Sequence, residues 1–172
     1  AEAVHLGNAK RGPDVIISYA WDAHAVVQGF RGTEVGTVST ERGQHGSFSP
    51  IDVHNTLIAS GPDFRTAMRD PLPSGNVDLA PTLAAVLDLP LPTAQGRVLH
   101  EALSGPLARP VSDYAVTPAA IRPATAATGL KTVRIDGAPL PSTHYSFTVR
   151  QKQLSVDGRR WIYFDQASAD RH

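Results

Sequence analysis

Cysteine is absent from the 172 residues, which excludes a disulfide framework and any thiolate metal site, so a bound metal must use histidine, aspartate or glutamate. Long apolar runs are missing as well. None approaches the roughly 20 residues that a bilayer span requires. Neither sign of charge is in excess, since Lys+Arg and Asp+Glu each number 16, and without a net positive field there is no electrostatic means of recruiting nucleic acid or an anionic membrane. Aromatic residues are scarce at 6%, and no RNP-type run is present. Tyr145, Phe147, Trp161, Tyr163 and Phe164 therefore read as a small apolar core or docking face rather than a platform for stacking bases. The start, Ala1 to His5, lacks the basic and apolar regions of a signal peptide.

What is present reads as an α/β chain with a small antiparallel β appendage. Pro13-Asp14 opens Val15 to Ala20, a short β-branched run that fits a strand buried on both faces. Residues 21 to 44 hold Gly29, Gly32, Gly36 and Gly43 and read as a long loop with one short strand near Thr33 to Val38. Asn55 to Ser60 reads as a second strand, ended by Gly61-Pro62 because proline has no N–H to donate. Asp78 to Asp88 predicts a helix. Asp78 is placed to cap it, Pro81 sits in its first turn, and Ala80, Leu83, Ala84 and Leu87 share one apolar face. Leu89-Pro90-Leu91-Pro92 stops it. Three alternating or aromatic runs follow, Lys131 to Ile135, Tyr145 to Val149 and Trp161 to Phe164, separated by Asp136-Gly137 and Asp157-Gly158, which favour tight turns. The expected organisation is an α/β part over 1–104, an Ala/Pro/Thr-rich connection over 105–128 and a β segment over 129–172.

The stretch with the most chemistry is Gly43-Gln44-His45-Gly46-Ser47-Phe48-Ser49-Pro50, a histidine between glycines, running on through Ile51 to Gly61-Pro62-Asp63-Phe64. Together with Asp78-Leu79-Ala80-Pro81-Thr82-Leu83 and Gly96-Arg97-Val98-Leu99, it resembles the alkaline phosphatase superfamily, in its type I phosphodiesterase/nucleotide pyrophosphatase branch. The likeness runs over about residues 13 to 103. It implies a three-layer α/β sandwich, two zinc ions and a phosphoester substrate, with His45 as one zinc ligand and the 78–88 helix packed on the sheet. The family's nucleophilic Thr or Ser and most of its ligands lie well before this loop, whereas 44 residues precede His45 here. The chain thus looks like a C-terminal portion of such an enzyme. An extracytoplasmic address is what the resemblance allows.

Asp52 and His54 stand two apart, so on an extended segment both face one side, as a ligand pair or as a carboxylate–histidine contact behind the metal. The plainer alternative is that His54 and Asn55 satisfy backbone groups at the start of a strand. Glu41 and His45 echo a four-residue ligand spacing, but with Glu for Asp and on a Gly-containing loop. No Asp-His dipeptide occurs, and no Asp precedes a histidine by four. Ser47 and Ser49 do not sit in a Gly-x-Ser-x-Gly elbow. A catalytic zinc needs about three protein ligands, so no catalytic residue is assigned and the chain alone is expected to be inactive. The rival reading is a non-catalytic binding or structural piece. Either way, an unpaired apolar strand edge predicts self-association or pairing with a complementary chain.

Overall fold

The computed structural model describes residues 8, 10–13, 16, 21–27, 29–34, 47–121 and 145–171. His45, Glu41, the run Lys131 to Ile135 and most of the expected Val15 to Ala20 strand lie outside these residues. The described elements are strands β1 (Trp21–Val27) and β2 (Phe30–Glu34), helices α1 (Pro50–Val53) and α2 (Leu79–Val86), and strands β3 (Ala115–Ile121), β4 (Tyr145–Val156) and β5 (Arg159–Arg171). β1 and β2 form a two-stranded sheet, and the other three form a sheet of order β3-β4-β5. The chain is therefore a mixture of helix and strand with a small antiparallel sheet. It divides into two compact units, one of Ala1–Asn55, Ala120–Gln151 and Phe164–His172, the other of Thr56–Ala119 and Lys152–Tyr163.

In the first unit, β1 and β2 make an antiparallel hairpin where a loop with one short strand near Thr33 to Val38 was expected. Val27 pairs with Phe30 and Trp21 with Glu34, and the register slips between Asp22 and Val26. The slip has a local cause. The Asp22 carboxylate accepts the amides of His24 (2.8 Å) and Ala25 (3.1 Å), a side-chain turn that competes with the ladder. Those two amides, His24 first, also hold the Asp22 carboxyl below its ordinary range. The Trp21 indole donates to the Ala167 carbonyl at 2.8 Å, and the Ala167 amide to the Phe48 carbonyl at 3.1 Å. Phe48 meets Phe164 edge-on with centroids 5.2 Å apart, an arrangement that favours the ring quadrupoles.

The second unit corrects two expectations. Residues 55–60 are not a strand. They form no regular element and are exposed, Ile58 at 83%, because an apolar run becomes a strand only when another segment takes its backbone groups. Among the described residues, none hydrogen-bonds to the 56–60 backbone. The pairing falls just beyond, at Phe64, which bridges Leu103, while the Arg65 amide donates to Ala102 and the Ser104 amide to Asp63.

Helix α2 lies where its signals put it but is turned over. The apolar residues expected to pack include Leu83 and Leu87, which are 54% and 64% exposed, whereas Pro81 and Thr82 are buried. Its end is set before Pro90. Asp88 takes a left-handed φ of 53°, the Leu89 amide donates to Ala84 and the Asp88 amide to Ala85, which is a Schellman closure with Asp where glycine is usual.

The Ala/Pro/Thr-rich connection includes β3, an exposed edge strand that tolerates Pro118. The β4–β5 turn is as expected. Asp157 and Gly158 both have positive φ, 50° and 72°, the type I′ geometry that suits a hairpin's twist. Arg159 and Arg160 lie exposed beside it. The buried apolar side chains among the described residues are Leu99, Leu103, Leu154 and Tyr163, all in the second unit.

Candidate functional site

Two clusters hold the chemistry. The first surrounds α1, directly after the glycine-flanked histidine. Ser49 caps the helix, its Oγ accepting the Asp52 amide at 3.3 Å, and the Asp52 carboxylate reaches back to accept the Ser47 amide at 3.0 Å. Ser47 and Ser49 are buried and committed to this turn, the Ser47 Oγ accepting the Ser49 amide. Because the segment is helical rather than extended, Asp52 and His54 do not share a face. Asp52 works as a capping carboxylate. His54 pairs with Asp165 of β5, Nε2 to Oδ1 at 2.9 Å, its side chain half exposed. A carboxylate–histidine contact does form, with a partner 111 residues away in place of Asp52. Asn55 donates to the Asp52 carbonyl.

The second cluster was missed from sequence, although it is built on the residues that carry the resemblance. Asp78 is fully buried. Its carboxylate accepts the amides of Gly75 (2.9 Å) and Arg97 (2.8 Å) and the Tyr163 hydroxyl (3.0 Å), so it does not cap α2 directly. Thr82 donates its hydroxyl to the Asp78 carbonyl at 2.7 Å and accepts the Leu99 amide at 3.0 Å. Arg97 lies over the Tyr114 ring, 5.3 Å from its centroid, and grips Glu101 with both terminal nitrogens, at 2.7 and 2.5 Å.

Charge is tightly held in this cluster. Burial pushes the Glu101 carboxyl up, but the Arg97 hydrogen bond, a backbone amide and the Arg97 charge together outweigh it and the net shift is downward. For Arg97, burial disfavours the charge, and Glu101 and Tyr163 more than restore it. Burial first, and then the Glu101 charge, push the Tyr114 hydroxyl up to about 12; Tyr163 is raised too, chiefly by burial. Among the described residues no buried side-chain polar atom lacks a partner. A cluster so closed has no open valence for a substrate and acts as a brace. The one signal for it in the sequence is the four-residue spacing of Arg97 and Glu101.

Among the described residues no three His, Asp or Glu side chains converge as a metal site. His45 lies outside them. No described helix is long and apolar enough to cross a membrane. Comparison with models of protein families, with curated proteins and with solved structures returns no match in any of the three.

Proposed function

We propose that this chain is the C-terminal portion of a metal-dependent phosphoester hydrolase of the phosphodiesterase/nucleotide pyrophosphatase kind, in which it supplies His45 as one zinc ligand. The observation that carries the reading is the joining of the separate sequence blocks. Asp78 and Thr82, from one block, bond directly to the Arg97 and Leu99 backbone of another, and Asp63 and Phe64 of a third pair with Leu103 and Ser104. In this reading the exposed leucines of α2 and the bare 56–60 segment are surfaces that the rest of a three-layer sandwich covers. The nucleophile and the remaining ligands come from that other part, and no step of the reaction falls to the described residues. Zinc would stabilise charge on the transferring phosphoryl group.

The rival reading is a binding or structural piece that associates with a complementary chain without catalysis. The exposed apolar surface favours it equally. Hydrolysis of a p-nitrophenyl phosphodiester with added zinc separates the two. The chain alone is expected to be inactive. A longer chain that includes the upstream reading frame is expected to be active and to lose activity in His45→Ala. An inactive longer chain sinks the hydrolase reading, and activity of the 172-residue chain sinks the division of labour.

A further inference from the structure

Between α1 and the Phe64 bridge the chain is fastened at both ends and bare in the middle. On the near side the His54 amide donates to Pro50 and the Asn55 amide to Val53. On the far side the Ser104 hydroxyl donates to the Pro62 carbonyl at 3.1 Å, the Ser104 amide to Asp63 at 2.8 Å and the Phe64 amide to Gly61 at 3.2 Å. Residues 54–63 are all exposed. Within them Thr56-Leu57-Ile58-Ala59-Ser60 combines two large apolar side chains, Leu57 at 49% and Ile58 at 83% exposure, with a backbone to which no described residue hydrogen-bonds.

That combination is what an endopeptidase requires. A protease cleft takes its substrate as an extended strand, bonding to the backbone amides and carbonyls and holding a side chain in a pocket beside the scissile bond. Susceptibility is therefore decided by burial and backbone bonding together. The other exposed large apolar side chains of the described residues each fail one condition. They lie in strands, in helices and their closing turns, or, like Leu89 and Leu91, directly before a proline, which has no amide to offer a cleft.

We infer that segment 56–60 is a processing site of this chain, hydrolysed beside Leu57 by an endopeptidase of apolar specificity, and that the two pieces stay assembled after the cut. Water adds across the peptide bond, leaving a carboxylate on one piece and an ammonium group on the other. After a cut between Leu57 and Ile58, piece 58–172 keeps Asp78, Thr82, Arg97, Glu101 and Tyr163, so the buried centre is untouched. Piece 1–57 stays fastened to β5. The Trp21 indole donates to Ala167, Phe48 accepts the Ala167 amide and meets the Phe164 ring, and His54 pairs with Asp165. The site depends on the exposure of 56–60 alone and not on the hydrolase reading.

Thermolysin, which cuts before large apolar residues, tests this on the folded 172-residue chain, with products identified by intact mass. Early products should end at residue 56 or 57. The initial rate should stay flat in urea below the unfolding transition, because a cut made through global opening accelerates as stability falls. Leu57→Ser combined with Ile58→Ser should slow this cut by about tenfold or more, the worth of an apolar group in a specificity pocket, and leave the urea midpoint unchanged, both side chains being exposed. The nicked protein should elute at the size of the intact chain and part into its pieces only in urea. The absence of a product ending at 56 or 57 overturns the site, as does a rate that climbs in sub-denaturing urea or a cut that the double variant leaves unchanged. Pieces that separate without denaturant overturn the assembly.

Discussion

The turn at α1 and the centre around Arg97 are built from the same residue types, carboxylates, hydroxyls and a basic side chain, and they differ in what surrounds them. At α1 the ion pair is half in water, His54 meeting Asp165 with its side chain 50% exposed. At Arg97 the pair is dry, with Arg97 and Glu101 side chains 3% and 0% exposed. In water an ion pair is a weak interaction in exchange with solvent; in the interior its two halves are obligate partners, because either one left alone is a buried uncompensated charge. The exposed pair is free to exchange partners with water. The second is suited to holding sequence-distant segments in one geometry.

Breaking the buried pair should give the largest effect. Arg97→Met leaves Glu101 buried without its cation and should destabilise by about 3–5 kcal/mol, read as a fall in the urea midpoint. Replacing both partners, Arg97→Met with Glu101→Leu, should recover most of that loss, because an apolar pair leaves no orphan charge. A single-variant loss below ~1 kcal/mol would put the centre in the same class as the surface pair and dissolve the contrast.

The next effect tests how closely the braced segments approach. A Cβ on Gly96 would lie 2.5 Å from the Val77 carbonyl carbon and 2.8 Å from Asp78 Oδ1, and backbone cannot step aside as a side-chain tip can. Gly96→Ala should destabilise by about 1–3 kcal/mol and disturb the Tyr163 hydroxyl through Asp78, visible as a change in near-UV circular dichroism. A neutral outcome would mean the 96–97 turn is loosely docked.

A smaller change should stabilise. Asp88 closes α2 at φ 53°, a conformation that costs an L-residue roughly 1–2 kcal/mol and glycine little. Asp88→Gly should raise the thermal midpoint, by on the order of 1 kcal/mol after glycine's larger chain entropy is counted. Destabilisation would instead assign the Asp88 side chain a role in the closure.

The comparison also shows which features a sequence announces. Turn and helix signals are local, so Asp157-Gly158, the start of α2 at Asp78 and the strands around Tyr145 and Trp161 were legible; they depend on residues within a few positions. Orientation was not. Leu83 and Leu87 carry helical periodicity, but which face packs depends on what lies opposite, and Thr82 found Asp78 and Leu99 there. The 55–60 run has strand composition and no partner to make it one. Asp78, Arg97, Glu101 and Tyr163 lie up to 85 residues apart along the chain, and only the Arg97–Glu101 spacing hints at their meeting. The hairpin at 21–34 was hidden because its glycines read as loop, although Gly29 serves a turn. Of the candidate site, Asp52 and His54 were expected to face one side together; their partners, Ser47 and Asp165, follow from a helical turn and a distant strand that the two-residue spacing could not reveal.

The smallest expected effect belongs to the pair at α1. His54→Ala removes the contact with Asp165, yet both groups reach solvent, so water replaces most of what is lost and the stability change should stay within about 0–1 kcal/mol. Salt should matter little to the buried centre and relatively more here, since ions screen exposed pairs and scarcely enter dry ones. The decisive measurement is the urea midpoint of wild type and His54→Ala at low and at about 1 M salt, where the Debye length falls to about 3 Å. A small difference that disappears at high salt keeps α1 on the exposed side of the comparison. A loss of several kcal/mol that survives high salt would make His54 and Asp165 a second brace, and the freedom to change partners assigned to this turn would be wrong.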